Sequence, residues 1–264
     1  MDSINQVTSN TQKILSPVVA DVPVQDFQWY HKSLLIPHEP IRHELATLRK
    51  LCSDWDTTTF TKSKFNTFFK WYNTYIYKLV HHHHDTEEKV FFPWLESRMD
   101  IPKRYTEDHE TLISRLDDIR DLQAKYANSN DMGQFLEELK RQSVELEESM
   151  IEHLNAEEEM VIPALRDHFT EKEHDATVDR IMKSAAIGEV ATMLPWILSG
   201  IERWGGQKEV DIFFKNVPLP IRFIAKGVWV PNYTAKREKL FTILLQQDSD
   251  IPMKIEQGCC CIIM

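Results

Sequence analysis

Residues His83 to Leu95 read HHDTEEKVFFPWL, and residues His153 to Leu165 read HLNAEEEMVIPAL. Laid over one another at an offset of 70 residues (153 minus 83), they bring His83 onto His153, Glu87 onto Glu157, Glu88 onto Glu158, Pro93 onto Pro163 and Leu95 onto Leu165. Side chains three or four positions apart share one face of an α-helix, so the His and Glu of each copy converge. The same face is otherwise apolar: Ile76, Val80, Val90, Phe91 and Trp94 continue it in the first copy, Leu146 and Met150 in the second. Each copy therefore predicts a helix that turns one imidazole and one carboxylate toward the core. Such a pair is costly to bury alone, and partners from other helices are expected.

The first copy closes a run of four histidines. Helical phasing turns His83 inward, leaves His84 on the border of the stripe, and sends His81 and His82 to solvent. Two further stretches supply one inward histidine each. In HEPIRHELATLRKLC the stripe is His38, Ile41, Leu45, Leu48 and Cys52, with Pro40 in the first turn and His43 on the opposite face. In YTEDHETLISRLDDIRDLQ it is His109, Leu112, Leu116 and Ile119.

Four such helices predict an all-α fold, an up-down four-helix bundle with a C-terminal helical extension. The composition agrees: 264 residues, 42% hydrophobic, only 7 glycines. A bundle core holding His38, His83, His109 and His153 with Glu87 and Glu157 is where carboxylate-bridged two-metal sites are built. Imidazole and carboxylate without thiolate suit iron, then manganese or zinc, and do not suit magnesium or calcium.

These residues resemble the hemerythrin-like family of non-heme di-iron bundles. The likeness rests on HEPIRHEL, HHDTEEKVFFP, DHETL and HLNAEEEMVIP and spans roughly Tyr30 to Phe169. It implies two iron ions, with His38, His83, His109 and His153 as terminal ligands and Glu87 and Glu157 as bridges. It also implies dioxygen or another small diatomic molecule as ligand. The family's oxygen carriers place a second histidine one turn after that of the third helix, where this chain has Ile113. His84 is a candidate further ligand, and Tyr105, one turn before His109, is within reach of the site. Fewer imidazoles favour oxidised iron, which turns the expectation from carriage toward sensing of iron or redox state. A di-iron oxidase or oxygenase is the alternative, and a metal-free scaffold of mutually bonded histidines the second.

The formal charge of -10 excludes a nucleic-acid partner, since phosphate binding needs clustered Lys and Arg. No secretion signal is apparent in MDSINQVTSNTQKILS, and VATMLPWILSGI is too short to span a bilayer. The last four residues, CIIM, form a prenylation box that marks Cys261 for a farnesyl group, with Cys259 and Cys260 as palmitoylation candidates. The expected location is the cytoplasmic face of a membrane. The predicted organisation is a loose segment over 1–28, the bundle over 29–170, a helical accessory region over 171–247 that is a candidate protein-binding surface, and a flexible lipidated tail over 248–264. Within the accessory region helices are expected at Ala176 to Ile187, Glu189 to Trp204 and Pro220 to Leu245, with breaks at Gly205, Gly206, Pro218, Pro220 and Pro231.

Overall fold

A computed structural model describes residues 16–129 and 131–246; Cys259, Cys260 and Cys261 lie outside the described residues. Among those described there are seven helices and no strand. α1 is Trp29–Asp54 and α2 covers 62–95. α3 is Arg104–Tyr126 and α4 is Met132–His168. These four form the bundle, joined by short connections that suit antiparallel neighbours. α5 (Glu171–Ser184), α6 (Ile187–Asn216) and α7 (219–244) make the extension.

Local chemistry sets the helix starts. Thr61 accepts from the Lys64 amide at the head of α2, and Asp131 accepts from the Gln134 amide at the head of α4, each filling an otherwise orphaned donor. At α5 the Thr170 hydroxyl and the Glu173 side chain cap one another reciprocally.

α1 begins nine residues before His38, so Pro37 and Pro40 lie inside it and not in its first turn. Two missing N–H groups weaken the ladder there, and packing compensates. Leu34 and Leu35 extend the buried stripe upstream, and α6 closes onto Pro40 through Gly200, where a Cβ would stand 2.4 Å from the proline Cγ. α2 widens into π-helical turns at Tyr72–Tyr77 and Glu87–Phe91, the second beginning at the predicted ligand Glu87. Such turns are frequent at functional sites. Beyond Glu87 the buried residues are Phe91, Phe92 and Leu95, while the expected Val90 and Trp94 are only half-buried.

The apolar core falls into two clusters. One gathers Ile41, Leu45, Leu48, Ile76, Val80, Leu112, Leu116, Leu146, Met150 and Leu154; the other gathers Leu34, Leu35, Phe91, Phe92, Leu95, Tyr105, Val161, Ile162 and Leu165. On α1, α2 and α3 the predicted histidine sits between the members of one cluster and those of the other, and on α4 His153 stands at the same level, with Leu154 the last residue of the first cluster on that helix. A polar layer thus interrupts an otherwise continuous core.

The extension shares both clusters, through Trp196, Tyr233 and Phe241 in the first and Leu198, Ile201, Trp204 and Phe214 in the second. α6 bends at Gly206, whose φ of 68° is in the left-handed region, as the paired glycines predict. Pro220 and Pro231 do not interrupt α7. Pro220 falls in its first turn, and a π-helical turn at Ala225–Trp229 widens the ladder just before Pro231. The N-terminal segment is packed from Ser16 onward, contrary to expectation: two 3-10 turns, Pro17–Val19 and Val24–Asp26, bury Val19 and Phe27 in the second cluster. Its apolar residues lack helical periodicity yet still need covering. Among the described residues no helix is long and apolar enough to cross a membrane.

Candidate metal centre

The polar layer brings seven donor side chains together as two groups. His38, His83, Glu87 and Glu157 form one and His84, His109 and His153 the other, with ligand atoms within 4.8 Å of one another in each group. All seven are buried. The six residues expected from sequence are present, and His84, expected only as a further candidate, stands among them. Adjacent residues on a helix point about 100° apart. His83 accordingly reaches toward α1 and His84 toward α3, where its ring stacks on His109 with centroids 4.1 Å apart. His84 is less exposed than His83, at 2% against 9%.

Glu87 joins the groups. Its Oε1 is 3.1 Å from His83 Nε2 and 3.8 Å from His38 Nε2, while its Oε2 is 3.5 Å from His109 Nε2. Glu157 Oε2 is 3.3 Å from His38 Nε2. A carboxylate with one oxygen toward each group is what a bridge between two ions requires.

The second glutamate of each repeat does different work. Glu88 accepts a 2.8 Å hydrogen bond from His109 Nδ1, and Glu158 accepts a 2.7 Å bond from His38 Nδ1. With each carboxylate ionised, both imidazoles donate from Nδ1 and direct Nε2 to the centre, where an ion would displace the proton that His38 holds on Nε2. Carboxylates in this position orient histidine ligands and raise their basicity. Glu158 is itself held by Arg42, at 2.8 and 3.0 Å, and Arg42 also donates to Glu39 and Asn155.

Electrostatics keep most of the imidazoles neutral. Burial, then the charge of neighbouring imidazoles, pushes His83 and His84 well below the usual histidine range. Burial likewise lowers His153 to about 4. His38 goes the other way: burial opposes its protonation, but Glu157, Glu158 and Glu87 outweigh it and raise it well above the usual value. Burial and the charge of Glu157 push Glu87 well above the carboxylate range. Glu158 is resisted by burial yet held at about 2 by His38 and Arg42.

Protein partners do not satisfy this cluster. His38 Nε2, His83 Nε2, both nitrogens of His84, His153 Nδ1, Glu87 Oε2 and both oxygens of Glu157 are buried without a hydrogen-bond partner. His109 Nε2 and His153 Nε2 face one another at 3.1 Å. Unpaired buried polar atoms cost about 1–3 kcal/mol each. Donors around a tetrahedral zinc-sized ion lie about 3.4 Å apart, which falls inside the 4.8 Å that contains the ligand atoms of each group. The residues present therefore fit metal cations better than they fit one another, and five imidazoles with two carboxylates suit a transition metal, iron, manganese and zinc among them.

The remaining expectations are corrected by packing. Ile113 is half-buried against the apolar cluster, and His84 supplies the imidazole that its position lacks. The count of five removes the premise that this centre is poor in imidazole. Tyr105 donates its hydroxyl to Ala156 O at 2.9 Å, so it buttresses α4 beside His153 and is not directed to the centre. His81 is half-buried, its ring 4.3 Å from that of Tyr77, and His82 is also half-buried, so neither is fully solvated. His43 faces the extension; burial, then Arg203 and Arg237, hold it well below the histidine range. Sequence reasoning missed Glu88, Glu158 and Arg42 as supports, although the doubled EE of both repeats carried the signal.

Residues 32–165, just over half of the chain, match the family model described as Hemerythrin HHE cation binding domain. Zinc finger protein BRUTUS of Arabidopsis thaliana is 26% identical over 180 residues, which cover 68% of this chain and 13% of that protein. No solved structure matches.

Proposed function

The chain belongs to the hemerythrin HHE cation-binding domain family, and from that premise we propose that its bundle holds two iron ions, binds dioxygen or a related small ligand, and reports iron availability or redox state. The single observation that carries this reading is the pair of buried donor groups joined through Glu87, with their nitrogen and oxygen atoms left without partners. When bound, the ions supply the ligand-binding and electron-transfer chemistry. The chain's own residues do the rest. His38 and His83 would hold one ion and His84, His109 and His153 the other, and Glu87 would serve both; Glu157, expected as a second bridge, stands with the first group, its Oε2 3.3 Å from His38 Nε2. Glu88 and Glu158 keep His109 and His38 in the tautomer that presents Nε2. The apolar clusters on either side exclude bulk water, which strengthens every charge interaction within the layer. Occupancy is linked to folding, because filling the layer compensates two buried carboxylates. That linkage is what lets such a protein respond to iron.

A metal-free scaffold is disfavoured, since among the five imidazoles only His109 and His153 are within hydrogen-bond distance of one another. Elemental analysis of protein expressed with iron supplied should give two ions per chain. Metal content unchanged in His153→Ala and Glu157→Ala would overturn the assignment. The reading extends to a lipid anchor, with Cys261 farnesylated and Cys259 and Cys260 palmitoylated, which keeps the protein at the cytoplasmic face of a membrane. Cys261→Ser is expected to release it to the soluble fraction.

A further inference from the structure

The chain is acidic overall, yet residues 212–237 contain five Lys and Arg and no Asp or Glu. The same stretch holds most of the exposed large apolar side chains among the described residues: Ile212, Leu219, Phe223, Ile224 and Val228, of which Phe223 is 75% exposed. Single exposed apolar residues are ordinary, but a group of them beside the exposed Lys215, Lys226 and Lys236 is not; Arg237, the fifth base of the stretch, is paired with Glu44 at 2.6 Å and is turned to the bundle. The core does not need these side chains. α7 is seated on the bundle by its other side, through Ala225, Tyr233, Phe241 and Leu244.

The face is also held in shape. Arg222 donates to Lys215 O at 3.1 Å and Val217 O at 3.0 Å, tying the start of α7 to the end of α6, and the Lys226 ammonium lies 4.7 Å from the Phe214 ring centroid. Lys215, Lys226 and Lys236 are exposed along it. Apolar side chains ringed by lysines on a helix lying along the surface are suited to one occupant, the interface of an anionic bilayer, where the rings and aliphatic groups enter the acyl boundary and the ammonium groups meet the headgroups.

We propose that the outward face formed by the end of α6 and the first half of α7 is a docking surface for an anionic lipid membrane. This deepens the membrane association proposed above. The tail around Cys261 carries one base, Lys254, and one isoprenoid binds only reversibly, so whenever Cys259 and Cys260 are not acylated a second contact is required for stable attachment. The face supplies that contact without depending on the tail, and it would set which side of the bundle meets the bilayer.

The full chain made in bacteria, which add no isoprenoid, isolates the face. It should co-sediment with vesicles of phosphatidylcholine mixed with phosphatidylserine, not with phosphatidylcholine alone, and salt should weaken the binding. Phe223→Asp should weaken it at least about tenfold, from the burial of one aromatic side chain. Lys215→Ala and Lys226→Ala should each weaken it roughly fivefold. Phe223 is exposed, so the variant should keep its helicity and metal content; the lysine variants serve as the measure if it does not. Equal binding to both vesicles, no binding by the parent, or no effect of these substitutions overturns the proposal. So does a dimer in analytical ultracentrifugation that Phe223→Asp dissolves in the absence of vesicle binding, which would assign the face to a second copy. If Cys261→Ser leaves cellular location unchanged while the vesicle result holds, the anchor reading fails and the face stands.

Discussion

The two copies of the His-Glu motif differ in how their second glutamate is supported, and that difference makes a sharp prediction about Glu158→Gln and Glu88→Gln. Glu158 is buried and accepts three charge-assisted bonds, from His38 Nδ1 at 2.7 Å and from Arg42 at 2.8 and 3.0 Å. Glutamine keeps the shape, and its one acceptor oxygen can take the Oε1 position that serves His38 and Arg42 Nη1, so the Arg42 Nη2 bond is lost at about 1.5–3 kcal/mol and the two that remain lose the carboxylate's charge. Arg42 remains buried with Glu39 at 2.9 Å and Asn155 at 2.8 Å, which recovers part of the loss. The net expectation is about 3 kcal/mol of destabilisation, or roughly 6–12 °C in Tm for a chain of this size. Glu88 has no arginine; its side chain is 34% exposed and holds His109 at 2.8 Å and Thr106 at 3.2 Å. Glu88→Gln should therefore cost less than about 1 kcal/mol in stability. Both variants loosen a ligand histidine and should lose about 10–100-fold in metal affinity. Thermal melts of the metal-free proteins, with anaerobic competition against a chromophoric chelator, separate the two quantities. Equal destabilisation by both variants, or metal affinity unchanged in either, would refute the division between ligand and orienting glutamates.

Three further outcomes follow from particular contacts. His84→Ala should lower metal content from two ions toward one, because it leaves two imidazoles in a group of three, whereas His81→Ala should leave it unchanged; equal retention would return the chain to an imidazole-poor centre. Gly200→Ala should lower stability by about 1–3 kcal/mol, since the added Cβ stands 2.4 Å from Pro40 Cγ in a packed interface; a Tm equal to the parent would show that α6 does not press on α1. The Arg98 hydrogen bond, followed by the Thr170 hydroxyl and amide, holds the exposed Glu173 carboxyl at about 2, below its usual 4.5. A depressed carboxyl stabilises above its ordinary value, so the α4–α5 junction should weaken as pH falls from about 4.5 toward about 2. A resonance of Glu173 titrating near the usual value would contradict that contact.

Much of the centre is legible in the chain itself because its signal is periodic. The 70-residue offset and the apolar stripes around His38, His83, His109 and His153 fix helices and inward faces by local geometry alone. Three matters were decided only by the assembled bundle. Whether His84 belonged to the site depended on what faced it, and His109 and His153 on neighbouring helices made a border residue the most buried of the run's histidines. The start of α1 was hidden because Pro37 and Pro40 weaken the local ladder, and only the packing of Gly200 on Pro40, from a helix far along the chain, shows how they are tolerated. The separate duties of Glu87 and Glu88, identical and adjacent in sequence, came from direction. One points into the layer between two ions' worth of donors, the other outward to the Nδ1 of a histidine on α3. Periodicity reports which face of a helix is buried; what meets that face depends on the other helices, and only the tertiary structure places them.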